Sequence, residues 1–228
     1  MFTVGATLPN VNSLVFYYDP ANTKSYPDTG VTLTDLVGVS DQATLTGEGP
    51  TISNGIIYLN NNGYLDIPWN SFSQDNFSIV FWFKTDSTTT TFCNTYWNTP
   101  RIIMSLDSSG NFQFNLRGWN GIEVVNITAA SSGTDYRNGQ WHHAAAIRSG
   151  DDLYVYIDGE LVGGATGVND ADPHTDRSSI GFGASGPYTA DYTPAYIGYL
   201  GLIMLYDGQA LNATEVRRLY HAHRGRYA

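Results

Sequence analysis

Residues 139–162, Gly-Gln-Trp-His-His-Ala-Ala-Ala-Ile-Arg-Ser-Gly-Asp-Asp-Leu-Tyr-Val-Tyr-Ile-Asp-Gly-Glu-Leu-Val, constrain the fold more than any other stretch of this chain. Trp141 to Arg148 reads as extended, Ser149-Gly150-Asp151-Asp152 as a reversal, and Leu153 to Ile157 as a returning strand with period-two alternation. Asp158-Gly159 is a second, two-residue reversal, because glycine takes the positive φ of a primed hairpin turn without steric penalty. On the returning strand Leu153, Val155 and Ile157 face one way and Tyr154 and Tyr156 the other. Aliphatic residues on one face and tyrosines on the opposite one suit a sandwich whose outer surface is only half wet.

Short strands and turns recur along the chain. Ser13 to Tyr18 predicts a strand, and residues 19–30 a turn-rich loop. Ile56-Ile57-Tyr58-Leu59 and Tyr64-Leu65-Asp66-Ile67 flank Asn60-Asn61-Asn62-Gly63, a hairpin signal. Between Phe77 and Lys84, the side chains of Phe77, Ile79, Phe81 and Phe83 share one face. Burying them at about 1.5–3 kcal/mol each makes this a central core strand. Residues 85–100 read as an excursion longer than most connections. Arg101 to Leu106 and Asn111 to Arg117 form a hairpin across Asp107-Ser108-Ser109-Gly110, and Ile122 to Thr128 continues the sheet. Beyond the signature, 163–178 reads as a Gly/Asp-rich loop, Ile180-Gly181-Phe182 as a short strand and 183–194 as a second long loop. Tyr196 to Tyr206 is the last strand. Asn212 then caps a helix, Glu215 completes a capping box, and Leu211 with Val216 forms a hydrophobic staple.

The pairing of Gly139-x-Trp141-His142-His143 with Val155-Tyr156-Ile157-Asp158-Gly159 resembles the laminin G-like and pentraxin-like members of the concanavalin A-like lectin/glucanase group. The opening resembles laminin G-like domains of bacteriophage virion and tail proteins, through Leu14-Val15, Asp19, Asn22, Ser25-Tyr26-Pro27 and then Asp35-Leu36-x-Gly38. The close does so through Ala210-Leu211, Glu215-Val216 and Leu219-Tyr220. Those domains carry Trp before the Asp-Leu, where this chain has Leu33-Thr34. The resemblance covers about residues 13–222 and implies an all-β fold, a two-sheet antiparallel jelly-roll sandwich with a short C-terminal helix. It carries no activity by itself. We expect one domain: an arm over 1–12, the jelly-roll over 13–211, and a helix with a basic tail over 212–228 packed on the same body.

The net charge of −10 argues against a general nucleic-acid binder, since phosphate binding needs a basic face. Positive charge gathers at the end, where Arg217, Arg218, Arg224 and Arg226 face Glu215 alone. Such a tail either folds back on its own acidic body or docks on a neighbour. Cys93 is the one cysteine, so no internal disulfide forms. The first residues lack a secretory pattern, and no apolar run approaches the ~20 residues of a membrane helix. A chain made in a reducing cytosol, with no membrane insertion, is the expectation.

Glycoside hydrolases of related fold set two glutamates about 5–5.5 Å apart for retaining chemistry. Here Glu48, Glu123, Glu160 and Glu215 are scattered, so no single strand supplies such a pair. His142 and His143 are adjacent on a strand and point to opposite faces, which suits hydrogen bonding in the core better than joint ligation of a metal. His221 and His223 diverge on the helix. Gly181-Phe182-Gly183-Ala184-Ser185-Gly186 fits a dinucleotide-type glycine pattern, but no βαβ unit surrounds it. Asp170, Asp172 and Asp176 are the candidate ligands for Ca²⁺, the one cofactor the sequence suggests, although Thr175 stands where an EF-hand needs glycine. Trp97, Trp119, Asn120, Tyr188, Asp191 and Tyr192 lie in or beside predicted loops and are the candidates for stacking and hydrogen bonding to a sugar.

The last strand departs from its relatives. Where charged residues alternate outward there, Leu202 and Met204 stand here. With Tyr154, Tyr156, Arg224 and Arg226 they are the candidate protein interface. Two functions follow, neither catalytic. The leading one is a structural or adhesive virion protein of a tailed bacteriophage, assembled in the host cytoplasm through contacts with other virion proteins or with copies of itself. The alternative is a carbohydrate-binding module that reads host glycans.

Overall fold

The computed structural model describes residues 8–69, 75–88, 90–94, 101–119, 124–168, 180–185, 193–194 and 196–227. Its strands begin with β1 (Leu14–Tyr18), β2 (Thr32–Leu33), β3 (Ala43–Gly47), β4 (Thr51–Ser53), β5 (Ile56–Asn60) and β6 (Gly63–Ile67). They continue with β7 (Asn76–Lys84), β8 (Thr91–Asn94), β9 (Arg101–Leu106), β10 (Phe112–Trp119), β11 (Val124–Ala130) and β12 (Trp141–Ser149). The last are β13 (Asp152–Ile157), β14 (Glu160–Thr166), β15 (Ile180–Phe182), β16 (Ala184–Ser185), β17 (Thr193–Pro194) and β18 (Ile197–Asp207), followed by helix α1 (Ala213–His223).

Two eight-stranded antiparallel sheets stack face to face. Sheet A runs β14-β13-β12-β7-β18-β5-β4, with β1 also on β18; sheet B runs β11-β10-β9-β8-β15-β6-β3-β2. This is the jelly-roll sandwich with its short C-terminal helix. The alternation in β7 decides the layering. Phe77, Ile79, Phe81 and Phe83 point into the space between the sheets, where they meet Phe92, Phe112, Phe114 and Phe182. Ring centroids of Phe83 and Phe92 approach to 4.6 Å, and those of Phe81 and Phe182 to 5.5 Å. Val80 and Trp82 point the other way, into a second apolar layer with Ala145, Ile147, Leu202, Met204 and Tyr206. That layer is roofed by Leu211, Val216, Leu219 and Tyr227 from the C-terminal segment.

The signature folds as its pattern requires. Ser149 pairs with Asp152 and Ile157 with Glu160, giving two two-residue turns. Asp158 and Gly159 sit at φ 53° and 85°, a primed turn. Leu153, Val155 and Ile157 belong to the inner core and Tyr156 to the outer layer. At α1, Asn212 Oδ1 accepts from the N–H groups of Thr214 and Glu215, and a Glu215 carboxylate oxygen accepts from the Asn212 N–H, closing the capping box.

Several expectations are corrected. The signal at 60–63 joins β5 of sheet A to β6 of sheet B, so it is an arch between sheets and not a hairpin. Both flanking strands bury one side, Ile57 and Leu59 against Leu65 and Ile67, and they do so by facing each other across the core. The excursion at 85–100 contains β8, which lies between β15 and β9 and seats Phe92 and Cys93 in the core. Burial pushes the Cys93 thiol pKa well up. Residues 163–166 extend β14, not a loop. Leu202 and Met204 do face away from sheet B, but both are fully buried beneath the C-terminal segment, so the expected apolar association surface is covered by the chain itself. Among the described residues no helix is long and apolar enough to cross a membrane.

Candidate functional site

One register row crosses five strands of sheet A. Thr51 pairs with Tyr58, Tyr58 with Tyr199, Tyr199 with Lys84, and Lys84 with Trp141. Residues opposite one another in an antiparallel ladder share a face. Their neighbours Ile57, Leu59, Leu200 and Phe83 all point into the core, so these five point outward. At about 4.8 Å between strands the row is about 19 Å long.

The row is aromatic and continuous. The Tyr58 and Tyr199 rings lie 5.2 Å apart, Trp141 is 6.5 Å from Tyr199, and Lys84 Nζ stands 6.0 Å from the centroid of Tyr199. Beyond Trp141 the series continues through Tyr227 at 4.9 Å, Trp82 at 4.4 Å from Tyr227, and Tyr220 at 5.8 Å from Trp82. Tyr199, 41% exposed, is the one aromatic residue that stands clearly in solvent among the described residues. Its ring continues the half-buried rings of Tyr58 and Trp141, so the apolar surface extends along the row.

Irregular backbone braces this ridge from beneath. Gly198 has φ 151°, and a Cβ there would approach the Lys84 carbonyl oxygen to 2.4 Å, so only glycine fits. The fully buried Tyr196 hydroxyl lies 3.0 Å from the Lys84 carbonyl and 3.1 Å from that of Tyr199. Thr85 Oγ1 donates to the Ile197 carbonyl at 2.7 Å. The two strands that carry Tyr199 and Lys84 are therefore pinned to each other below the surface they present.

Three clefts lie along the row. One of about 330 Å³ is lined by Thr51, Ser53, Asn54, Ile56, Tyr58 and Tyr199. A second of about 200 Å³, on Tyr58, Lys84 and Tyr199, adds Asp86 and Gly198. The third, about 370 Å³, is formed by Trp82, Trp141, Tyr220 and Tyr227 with Asp158 and Arg224. Ring faces beside hydroxyl, amide and charged groups provide what a pyranose needs, an apolar platform and hydrogen-bond partners at its rim. The carboxylates, Asp86 and Asp158, stand in separate clefts and do not form an acid–base pair.

Asp158 is moreover occupied. Its Oδ1 accepts from the His143 N–H at 2.9 Å, and its Oδ2 lies 2.8 Å from His142 Nδ1. His142 Nε2 is 3.2 Å from Asn138 Oδ1. The turn aspartate thus ties β12 to the β13–β14 hairpin, and the paired histidines and Asp-Gly of the signature are a structural clasp. The His143 ring lies on the opposite face, fully buried, 5.3 Å from Trp82 and 5.9 Å from Tyr220. Burial, with His223 nearby, lowers its pKa to about 3. Among the described residues no three His, Cys, Asp or Glu side chains gather to hold a metal.

Trp97, Asn120, Tyr188, Asp191 and Tyr192, and the Ca²⁺ candidates Asp170, Asp172 and Asp176, lie outside the described residues, as does the side chain of Trp119 at the end of β10. Tyr156 is covered and Tyr154 half-buried, its hydroxyl donating to Asp152 at 3.1 Å. Arg226 folds back to a bidentate pair with Asp19 at 2.6 and 2.8 Å, and Arg217 to Glu160 at 2.9 Å. Arg224 stays exposed above the Tyr220 ring, in the third cleft. Tyr58, Lys84, Trp141 and Tyr199 were missed because they sit in strands; the signal available was that Tyr58 and Tyr199 occupy the outward phase of otherwise apolar strands.

A family profile described as the concanavalin A-like lectin/glucanases superfamily matches residues 59–217. Domain 4 of the extracellular arabinanase AbnA from Geobacillus stearothermophilus, solved with arabinotriose, superimposes with a TM-score of 0.68 at 20% identity, over 91% of this chain and 98% of that one. The binding domain of Paraclostridial Mosquitocidal Protein 1 gives 0.68 at 20%, and the receptor binding domain of botulinum neurotoxin D 0.68 at 13%. Each of these two matches 93% of this chain and 53% of its own length, so the chain spans about half of them. At these identities the likeness concerns the fold. A search of curated proteins gave no match.

Proposed function

This chain belongs to the concanavalin A-like lectin/glucanase superfamily, and from that premise we propose that it is a non-catalytic recognition module that lays a saccharide along the Tyr58–Tyr199–Lys84–Trp141 row. The observation that carries the reading is the exposed, braced Tyr199 ridge between two clefts whose rims hold hydroxyl, amide and charged groups. Among the described residues the carboxylates lining the three clefts, Asp86 and Asp158, stand in different clefts, an arrangement that suits binding. Neighbours of the same fold include a domain solved with arabinotriose and a receptor binding domain, which fits this use of the sandwich.

The setting we propose is the adhesive surface of a bacteriophage virion, in which the row faces the host. Its support is the sequence resemblance of the opening and closing motifs. Burial of Leu202 and Met204 removes the argument for assembly through the last strand, so recognition ranks above a purely structural role.

Glycan-array screening followed by calorimetry on the best oligosaccharide tests the reading. Tyr199→Ala and Tyr58→Ala are expected to weaken binding at least about tenfold, about 1.4 kcal/mol, with an unchanged circular dichroism spectrum. A folded protein that binds no glycan, or variants that bind as well as wild type, would overturn it. Immunogold labelling of purified particles tests the setting separately.

A further inference from the structure

We infer that the saccharide this row accepts is anionic, with a carboxylate on the ring that rests beside Lys84. The inference rests on the saccharide reading of the row. The chain carries 21 acidic against 11 basic residues, so a cation left unneutralised on a binding face is notable. Arg137 pairs with Asp135, Arg217 with Glu160 and Arg226 with Asp19, and the buried Arg148 donates to the Gly150 carbonyl. Arg218 and Lys24 are exposed away from the three clefts, whereas Lys84 and Arg224 line them. Among the described residues neither has a carboxylate within ion-pair distance, and each stands 6.0 Å from the centroid of a tyrosine ring, Tyr199 and Tyr220.

A cation over an aromatic face is attracted by the ring and keeps its charge unpaired, so the ammonium is available to an anion. Register sets what it meets. Lys84 stands between Tyr199 on one neighbouring strand and Trp141 on the other, so a sugar ring seated on either places a substituent at the ammonium. Arg224 shares the third cleft with Trp141, which puts a second cation beside the same indole. The acid of that cleft, Asp158, has both oxygens turned to His142 and His143 and makes no ion pair with Arg224. Asp86 lines the same cleft as Lys84 and is exposed, and the two form no ion pair. A neutral sugar would cover both cations and pair neither, and that cost selects for the acidic ligand.

The test compares oligogalacturonate with its fully methyl-esterified form, by calorimetry at low and high salt, on wild type, Lys84→Gln, Lys84→Arg and Arg224→Gln. The acidic oligomer is expected to bind at least tenfold tighter than the ester at low salt, with the preference falling as salt rises. Lys84→Gln and Arg224→Gln should each weaken the acidic oligomer more than the ester, so that the preference falls severalfold, and Lys84→Arg should restore most of it. Equal binding of the two oligomers, or tighter binding of the ester, overturns the inference and leaves the saccharide reading standing. If neither oligomer binds while array screening finds a neutral glycan that Tyr199→Ala abolishes, the inference is again overturned alone. If no glycan of either kind binds, both fall together.

Discussion

Leu202 donates its backbone N–H to the hydroxyl of Tyr227 at 2.9 Å, a strand bonded to a side chain where a strand should be bonded to a strand. The cause is a bulge: β18 pairs with β7 at Leu200–Phe83 and again at Ile203–Phe81, so Gly201 and Leu202 together oppose Trp82. Tyr227 fills the gap, and a Cβ at Gly201 would come within 2.4 Å of its hydroxyl. Tyr227→Phe keeps the stack on Trp82 and strands a buried N–H, and should cost about 1–3 kcal/mol in urea unfolding. Gly201→Ala should destabilise as well, by expelling the ring. A Tyr227→Phe protein as stable as wild type would show that water replaces the hydroxyl.

Ser78, fully buried on β7, holds the entry to α1 from within. Its Oγ donates to the Gln209 carbonyl at 3.0 Å and accepts from the Leu211 N–H at 2.9 Å. Ser78→Ala leaves both backbone groups unsatisfied and is expected to lower stability by about 1–3 kcal/mol. Hydrogen exchange should locate the loss at residues 209–211 and α1, with the inner core strands last to open.

Arg226 and Asp19 join the two ends of the described chain, with Asp19 almost wholly buried. Because the guanidinium is about one-third exposed, Arg226→Ala should cost less than the loss of a fully buried pair, about 1–3 kcal/mol. Arg226→Lys should recover only part, since a lysine cannot reproduce the two-pronged contact. Thermal unfolding of the three proteins side by side measures both effects.

His143 gives the fold a pH dependence of known sign. Its folded pKa lies near 3 and its unfolded value near 6.5, so between those values the unfolded chain holds the extra proton. The stability associated with the neutral ring is complete above pH 6.5 and is lost as pH falls towards 3, in total on the order of 4 kcal/mol. His143→Leu should therefore show a smaller drop in urea midpoint between pH 7 and pH 4 than wild type. An unchanged drop would assign the acid sensitivity to other groups.

Local pattern carried the fold well. Alternation in Leu153–Ile157 and Phe77–Phe83 separated inner from outer side chains, and the Asn212–Glu215 capping box marked the start of the helix. Where it failed, the missing information was pairing between distant segments. The 60–63 signal has the composition of a hairpin, yet its two strands join different sheets. Leu202 and Met204 have an outward phase, but only the return of α1 over sheet A tells whether they meet water. The aromatic row is the strongest case. Tyr58, Lys84, Trp141 and Tyr199 become neighbours through registers among β5, β18, β7 and β12, which no local pattern encodes.

An interior strand of sheet A, β18, is the last of the described strands in sequence order. β18 lies between β7 and β5 and also carries β1, so three strands made earlier are without that partner until residues 197–207 leave the ribosome. Their unpaired edges invite pairing with other chains. A nascent polypeptide stalled before that point is therefore a candidate for chaperone capture, and full-length product should gain protease resistance in one late step.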